Sequence, residues 1–313
     1  MYLPYDIVSH IVSFLDLYTN LQTARFIDKS FFRACCDEKL WKHLSLRKIT
    51  SRQLYTMLNR HGSCIQSLNI NNIRVPRKAH KLLGNMKKLV MLDLKSCSSY
   101  MIDDRFCYLI RNSNIKSLLI GNSSITDLGL FTLNNLKLKE FEMHNSIFVT
   151  QVGIDFIGQW QCLKRLELHS VDGVFGIHHL QQLPLTHLRV SFCRNLSTSS
   201  VLKFCKKSNS KLKSFLLYGF HFTKTVLKAV IKAFSNLEIF ALCHPSITQR
   251  QYEELKHFKN MKFLSIICCS RIENIVFLRQ LKLSQLYVCK TKIFVKQRKE
   301  IFKLKNIKLK YIY

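Results

Sequence analysis

The side chains with most chemical capacity gather between positions 140 and 190: Glu140, Glu142, His144, Arg165, Glu167, His169, His187 and Arg189. Carboxylates alternating with imidazoles could move a proton or hold a metal ion, because residues two apart in a strand share a face and adjacent strands lie about 4.8 Å apart. Their spacing matches no recognised ligand set, and ion pairing with Arg165 and Arg189 explains the same residues. The 12 cysteines contain no CxxC pair, and the neighbours Cys35-Cys36 and Cys268-Cys269 are too close for a zinc ribbon. No HExxH, GxxxxGK(S/T) or GxGxxG run occurs, and Gly173 and Gly176 stand isolated. The expectation is a non-enzymatic protein with no catalytic residue, metal or cofactor, whose chemistry is recognition.

What positions these residues is a period. The pattern apolar-x-x-apolar-x-apolar recurs as Ile65-Leu68-Ile70, Leu89-Leu92-Leu94, Ile115-Leu118-Ile120, Leu138-Phe141-Met143 and Leu163-Leu166-Leu168. It continues as Leu185-Leu188-Val190, Leu212-Phe215-Leu217, Leu237-Phe240-Leu242, Met261-Leu264-Ile266, Leu283-Leu286-Val288 and Leu304-Ile307-Leu309. Trp41-Leu44-Leu46 satisfies it too, one period earlier. The mean spacing is about 24 residues, inside the leucine-rich-repeat range of about 20 to 29. Each hexad ends as a short strand with one buried face. An apolar residue followed by Ser or Thr then opens a return segment, at Ile49-Thr50, Ile125-Thr126, Val149-Thr150, Leu196-Ser197, Phe222-Thr223 and Ile247-Thr248. The hydroxyl can cap helical amides while the apolar neighbour staples the turn to the core.

Cys97, Cys193 and Cys269 each follow the central hexad residue by five positions, as small buried wedges. With the run Ile125-Thr126-Asp127-Leu128-Gly129-Leu130, this style resembles the cysteine-containing leucine-rich repeats over about residues 41–310, with degenerate copies near 70–88 and 171–184. The resemblance implies an α/β solenoid, a curved horseshoe with parallel strands on the concave face and helices on the convex face.

Composition narrows the function. Hydrophobic residues make up 47% and charged residues 22% of the 313, with 9 Gly and 4 Pro, which excludes whole-chain disorder and collagen-like or low-complexity classes. No apolar run approaches the roughly 18 residues of a membrane span. The opening MYLPYDIVSH lacks the features of a secretory signal, so an intracellular protein with free thiols, cytoplasmic or nuclear, is expected. The net charge is +30, and the excess falls after residue 50: residues 1–50 hold 7 basic and 5 acidic side chains, 282–313 hold 10 and 1. Lys224, Lys228 and Lys232 form a solvated helical stripe, and Lys296-Gln297-Arg298-Lys299 is a weak basic patch. A basic scaffold that binds nucleic acid or another protein is one reading on charge alone; no zinc-finger, RRM or helix-turn-helix signature supports the nucleic-acid form.

Ahead of the repeats, Ile7, Val8, Ile11, Val12 and Leu15 fall on one helical stripe, with Pro4 suited to a first turn. Two further short helical patterns follow, around 21–26 and 31–36, giving a three-helix unit too small to be stable without a partner or the solenoid. Leu3-Pro4, Ile7-Val8, Ile11, Ser13-Phe14-Leu15, Asp37-Glu38 and Leu40-Trp41 resemble the F-box, although Phe31 stands where that family usually has Trp. An F-box over 1–46 followed by about eleven to twelve repeats over 47–313 is similar to the F-box/leucine-rich-repeat family. The resemblance implies a substrate receptor of a cullin-based ubiquitin ligase that docks on the Skp adaptor, and through it on cullin. Leu3, Pro4, Ile7, Val8, Ile11, Phe14, Leu15, Leu21, Leu40 and Trp41 would form or support that interface. The same residues also suit a helical cap on the open end of the solenoid, and both roles are compatible.

In each hexad the third and fifth residues, and the one after it, should face the concave side. Read this way, the face is charged in the repeats from 138 to 190 and apolar or aromatic in those from 212 to 289. The expected cargo site joins the two, with Tyr218, Phe263 and Tyr287 as anchors and Arg165 and Arg189 orienting an acidic or phosphorylated segment. Coverage of the apolar part by the chain's own loops is the alternative.

Overall fold

The computed structural model describes residues 4–13, 27–47, 49–71, 73–95, 97, 102–207, 211–243, 248–268, 276–289 and 308–312. Three helices come first, α1 (Tyr5–Ser13), α2 (Lys29–Cys35) and α3 (Glu38–Trp41). Strands and return helices then alternate: β1 (His43–Arg47), α4 (Ser51–His61), β2 (Ser67–Asn71), α5 (Arg77–Asn85), β3 (Met91–Leu94), α6 (Asp104–Ile110), β4 (Ser117–Gly121), α7 (Asp127–Leu133), β5 (Glu140–His144), α8 (Gln151–Ile157) and β6 (Arg165–His169). A 3₁₀ turn at His178–Gln182 leads to β7 (His187–Ser191), α9 (Thr198–Lys207), β8 (Ser214–Tyr218), α10 (Lys224–Ala233), β9 (Ile239–Cys243) and α11 (Gln249–Glu253). After β10 (Phe263–Ile267), a 3₁₀ turn at Val276–Gln280, β11 (Gln285–Cys289) and β12 (Lys308–Ile312) complete the described elements. The strands form one sheet of 12, parallel and in sequence order.

The hexad sets the register. Leu44, Leu68, Leu92, Leu118, Phe141, Leu166, Leu188, Phe215, Phe240, Leu264 and Leu286 pair in one continuous row, and all are buried. At the last repeat the structure corrects the expected alignment. Leu309, not Ile307, stands opposite Leu286. A slip of two residues preserves which face each residue takes, so the period alone could not exclude it.

The return segments start as anticipated at most of the Ser/Thr sites. Thr50, Thr126, Thr150, Thr223 and Thr248 are helix N-caps, the first and last as full capping boxes, and Ser197 Oγ accepts from the Ser200 amide at 3.3 Å. Neighbouring repeats also support one another's helix starts. Asp104 accepts from the Thr126 amide (2.8 Å) and hydroxyl (2.7 Å), and Asp127 does the same for Thr150 (2.8 and 2.6 Å). Gln151 Oε1 takes the amides of Phe175 and Gly176, and Ser200 Oγ those of Ile177 and His178. These last two rungs replace the missing start signal in the degenerate copy at 171–184, which forms only a 3₁₀ turn.

Each strand must leave the sheet through a tight corner. Asn122, Asn145, Ser170, Phe192 and Cys268 hold φ between 46 and 55° there. The corner amide donates to the last carbonyl of the next strand, as Asn122 to His144 (2.9 Å) and Phe192 to Tyr218 (2.8 Å). At Gly219, φ is 77° and Phe192 lies against the backbone, a conformation a Cβ would strain. Phenylalanine fills the later core, where Phe204, Phe215 and Phe234 form a cluster with centroids 5.6–5.9 Å apart.

Candidate functional site

Two surfaces carry the residues singled out by the sequence. On the concave face, strand register brings Glu140, Arg165 and His187 into one row, Glu142, Glu167 and Arg189 into the next, and His144, His169 and Ser191 into a third. The side chains knit across the strands. Arg165 pairs with Glu140 and Glu167, both at 3.3 Å, and Arg189 with Glu167 at 3.6 Å. Glu142 receives Lys95 at 3.0 Å and His144 at 2.5 Å. Burial raises the Glu142 carboxyl pKa, but hydrogen bonds from His144 and Lys95 outweigh it and leave the pKa below the usual range.

Lys95 is the member that sequence reasoning missed. It follows Leu94, the partner of Ile120, so its row continues through Gly121 to His144. The missing side chain at Gly121 leaves room for a lysine to reach across that strand. The spacing of 47 residues, close to two periods, was the available signal. Burial and nearby cations lower the pKa values of His169 and His187, so both imidazoles are neutral at pH 7. Three carboxylates, Glu140, Glu142 and Glu167, therefore face three cations, Lys95, Arg165 and Arg189. The charged half of the face is close to neutral in sum, and its arginines are already engaged.

Arg189 also lies over the Tyr218 ring, 5.1 Å from its centroid, where charged and aromatic halves meet. Tyr218 reaches toward Ser265 two strands away; burial pushes its phenol pKa up against the opposing pull of Ser265 and Arg189. Ala241 and Ser265 are fully buried, while Tyr218, Phe263 and Tyr287 are half-buried. The three expected anchors thus lie on β8, β10 and β11 of the sheet at different strand positions, each partly covered.

The second surface is α1. Val8 is buried, whereas Pro4, Tyr5, Ile7 and Ile11 are exposed, Ile7 at 48% and Ile11 at 39%. Ile7 and Ile11 are one turn apart on a single face. Tyr5 Oη donates to Asp37 Oδ2 at 3.3 Å, tying α1 to the start of α3. Asp28 caps α2 by accepting from the amides of Ser30 and Phe31, and Phe32 on that helix is 53% exposed. Leu40 is partly buried against the core. Trp41 is buried, donates from Nε1 to the Cys35 carbonyl at 2.9 Å, and stacks on His61 of α4 with centroids 3.7 Å apart. Val8 and Trp41 therefore hold the helices together and onto the first repeat, and they present no surface to a partner. Leu3, Phe14, Leu15, Leu21 and the expected helix at 21–26 lie outside the described residues, as does Cys269.

Cys97 and Cys193 are buried at the strand-to-turn corners, with Cys97 Sγ 3.1 Å from the Ile70 carbonyl. Burial pushes their thiol pKa values up to about 12 and about 11. No helix among the described residues is long and apolar enough to cross a membrane.

Comparison with solved structures settles the architecture. Rad7, from the yeast Rad7–Elc1 complex, superposes with a TM-score of 0.58 at 11% identity, covering 97% of this chain and 90% of that one. The fold is a leucine-rich-repeat solenoid. The Leptospira interrogans leucine-rich-repeat protein LIC12759 aligns over 91% of this chain and 86% of its own, at 16% identity and a TM-score of 0.49. No family model matches the sequence, and no curated protein does. On the solenoid, the charged strip and the aromatic floor are adjacent sectors of one concave sheet.

Proposed function

We propose that this leucine-rich-repeat protein is the substrate-recognition subunit of a Skp–cullin–F-box ubiquitin ligase. It docks on a Skp adaptor through α1 and captures a protein on its concave face for ubiquitination and proteasomal degradation. The observation that carries the reading is the exposed pair Ile7 and Ile11, one turn apart on a helix that buried Val8 anchors to the rest of the protein. Apolar side chains left open on a supported helix are what an interface uses. The F-box resemblance of the same segment supplies the partner class, and its burial against the first repeat accounts for how so short a unit is held. Rad7, similar in fold, was itself solved with a protein partner, Elc1.

Cargo recognition follows from the concave geometry. Arg165 and Arg189 are held by glutamates, so an acidic cargo segment must exchange partners with Glu140 and Glu167 and does not meet free cations. The strip then selects a pattern of charges, and the floor of Tyr218, Phe263 and Tyr287 contributes apolar area. The protein acts without catalytic residues of its own, in the cytoplasm or nucleus, where its thiols stay reduced.

The test is size-exclusion co-elution of the purified chain with a Skp adaptor, beside a variant carrying Pro4→Ala, Ile7→Asp and Ile11→Asp. Co-elution of the wild type and its loss in the folded variant is the expected result. A folded wild-type chain that fails to co-elute overturns the receptor reading.

A further inference from the structure

Away from both surfaces, the convex side carries a cavity of about 460 Å³ lined by Tyr55 of α4, Arg77, Lys78, His80, Lys81, Leu82 and Asn85 of α5, and Asp103, Arg105 and Leu109 at α6. That volume lies within the range of about 300–1,000 Å³ usual for small-molecule sites. Its walls divide by chemistry. Tyr55, Leu82 and Leu109 are half-buried and make an apolar floor, while Arg77, Lys78, Lys81 and Arg105 are exposed at the mouth. No ion pair engages any of these four cations among the described residues, although Lys88, just beyond α5, is paired with Glu38. The single carboxylate, Asp103, is occupied as the N-cap of α6, accepting from the Phe106 amide at 2.9 Å.

Two further features point to a missing anion. Helix α5 begins at Pro76 without any side-chain cap or acidic residue in its first turn, and places Arg77 and Lys78 there instead. Cations at the positive end of a helix are unfavourable, whereas an anion there is stabilised. Beneath them, His80 is 97% buried against Phe106, and its Nε2 has no hydrogen-bond partner. Burial lowers its pKa, with Asp103 opposing and Arg77 and Arg105 adding to the shift, so the ring that lines the cavity is neutral. A buried polar atom without a partner is costly in a protein that leaves it unused.

We propose that the α4–α6 cavity is a binding site for a small phosphate-bearing ligand. Its phosphates are held by Arg77, Lys78, Lys81 and Arg105, and its body rests on Tyr55, Leu82 and Leu109. Arginines on two successive repeats can grip phosphate oxygens in a bidentate manner, a geometry the ammonium stripe of α10 does not offer. Such a ligand would bridge three return helices and stiffen the repeats nearest α1. The site is independent of adaptor docking and of the concave face.

The experiment is calorimetric titration of the full chain with inorganic tripolyphosphate and, separately, with ATP, both without added metal at about 150 mM monovalent salt. Sulfate at matched ionic strength is the comparison. Two folded variants accompany it: Arg77→Glu with Arg105→Glu, and Lys224→Glu with Lys228→Glu, which changes net charge equally on α10. The expected result is saturable binding that falls at least about tenfold in the first variant and stays within about threefold in the second. Tighter binding of ATP assigns the apolar floor to an organic body, and equal binding assigns phosphates alone; either upholds the site. Absence of saturable binding, equal losses in the two variants, or an equal response to sulfate overturns it.

Discussion

The rungs between repeats make a sign reversal testable at Gly153. A Cβ built there would lie 2.4 Å from Asp127 Oδ1, 2.8 Å from the end of Leu130 and 3.1 Å from Val149. Leucine can rotate away. Asp127 cannot, because its two oxygens are committed to the Thr150 amide and hydroxyl at 2.8 and 2.6 Å. In the wild-type chain Gly153→Ala gains up to about 1 kcal/mol of helix propensity. It also displaces a carboxylate whose two charge-assisted bonds are each worth about 1.5 kcal/mol or more. The net is a loss of about 1–2 kcal/mol, or roughly 2–4 °C in midpoint at about 2 °C per kcal/mol, the lower end of the range for large domains. In an Asp127→Ala background the obstacle is gone, and the same substitution should be neutral or stabilising by up to about 1 kcal/mol. Urea denaturation of the four proteins of the cycle gives the coupling directly. If Gly153→Ala destabilises equally in both backgrounds, the rung does not constrain that helix start and the reasoning is wrong.

Trp41→Ala should cost about 3–5 kcal/mol for a buried aromatic and strand the Cys35 carbonyl, with hydrogen exchange rising in α1–α3 while β4–β8 stay protected. Thiol labelling of the native chain at pH 8 should modify exposed Cys36 and Cys162 and spare Cys97 and Cys193, whose pKa values near 12 and 11 leave almost no thiolate; rapid labelling of Cys97 before unfolding would contradict the buried corner. The lowered carboxyl pKa of Glu142 means that its stabilising contribution is complete above its ordinary value of 4.5 and is lost as pH falls through the lower folded-state value. Glu142→Gln should therefore flatten the acid limb of a stability–pH curve, and an unchanged limb would show that the Lys95 and His144 contacts contribute nothing.

The strand register was legible because each repeat from Leu44 to Leu286 places a Leu or Phe at one central position, and the sheet pairs those positions directly. Helix starts were legible where a hydroxyl does the capping, as at Thr126 and Thr223. They were not where the cap is borrowed: Ser200 serves Ile177 from 23 residues away, and no local pattern announces that. The concave columns also read correctly as rows, since alternation fixes which face a residue takes. Their energetics did not follow from columns alone. Ion pairing of Arg165 could be expected from the columns, but that it takes both Glu140 and Glu167, leaving its charge matched, is read only from the distances. The convex cavity was invisible for a related reason. Arg77 and Arg105 sit in successive repeats at different helical positions, and a search along one helix face finds only ordinary solvated cations.

The junction at Trp41 decides what kind of device this molecule is. A helical unit of some forty residues buries too little apolar surface to stand alone. Here its tryptophan is stacked face to face on His61 in the first return helix, with an interplanar angle of 2°, and β1 begins two residues later. The sheet that starts with β1 runs without interruption to the charged strip and aromatic floor. Among the described residues, any protein held on Ile7 and Ile11 is therefore referred to the concave face through packed side chains and paired strands. On the proposed reading, that fixes the distance and angle between adaptor and cargo. It makes the number of repeats between β1 and β5 a geometric variable and not spare length: inserting or deleting one unit of about 24 residues would move the cargo by one strand spacing of about 4.8 Å and turn it by the sheet twist, while leaving both contact surfaces chemically intact.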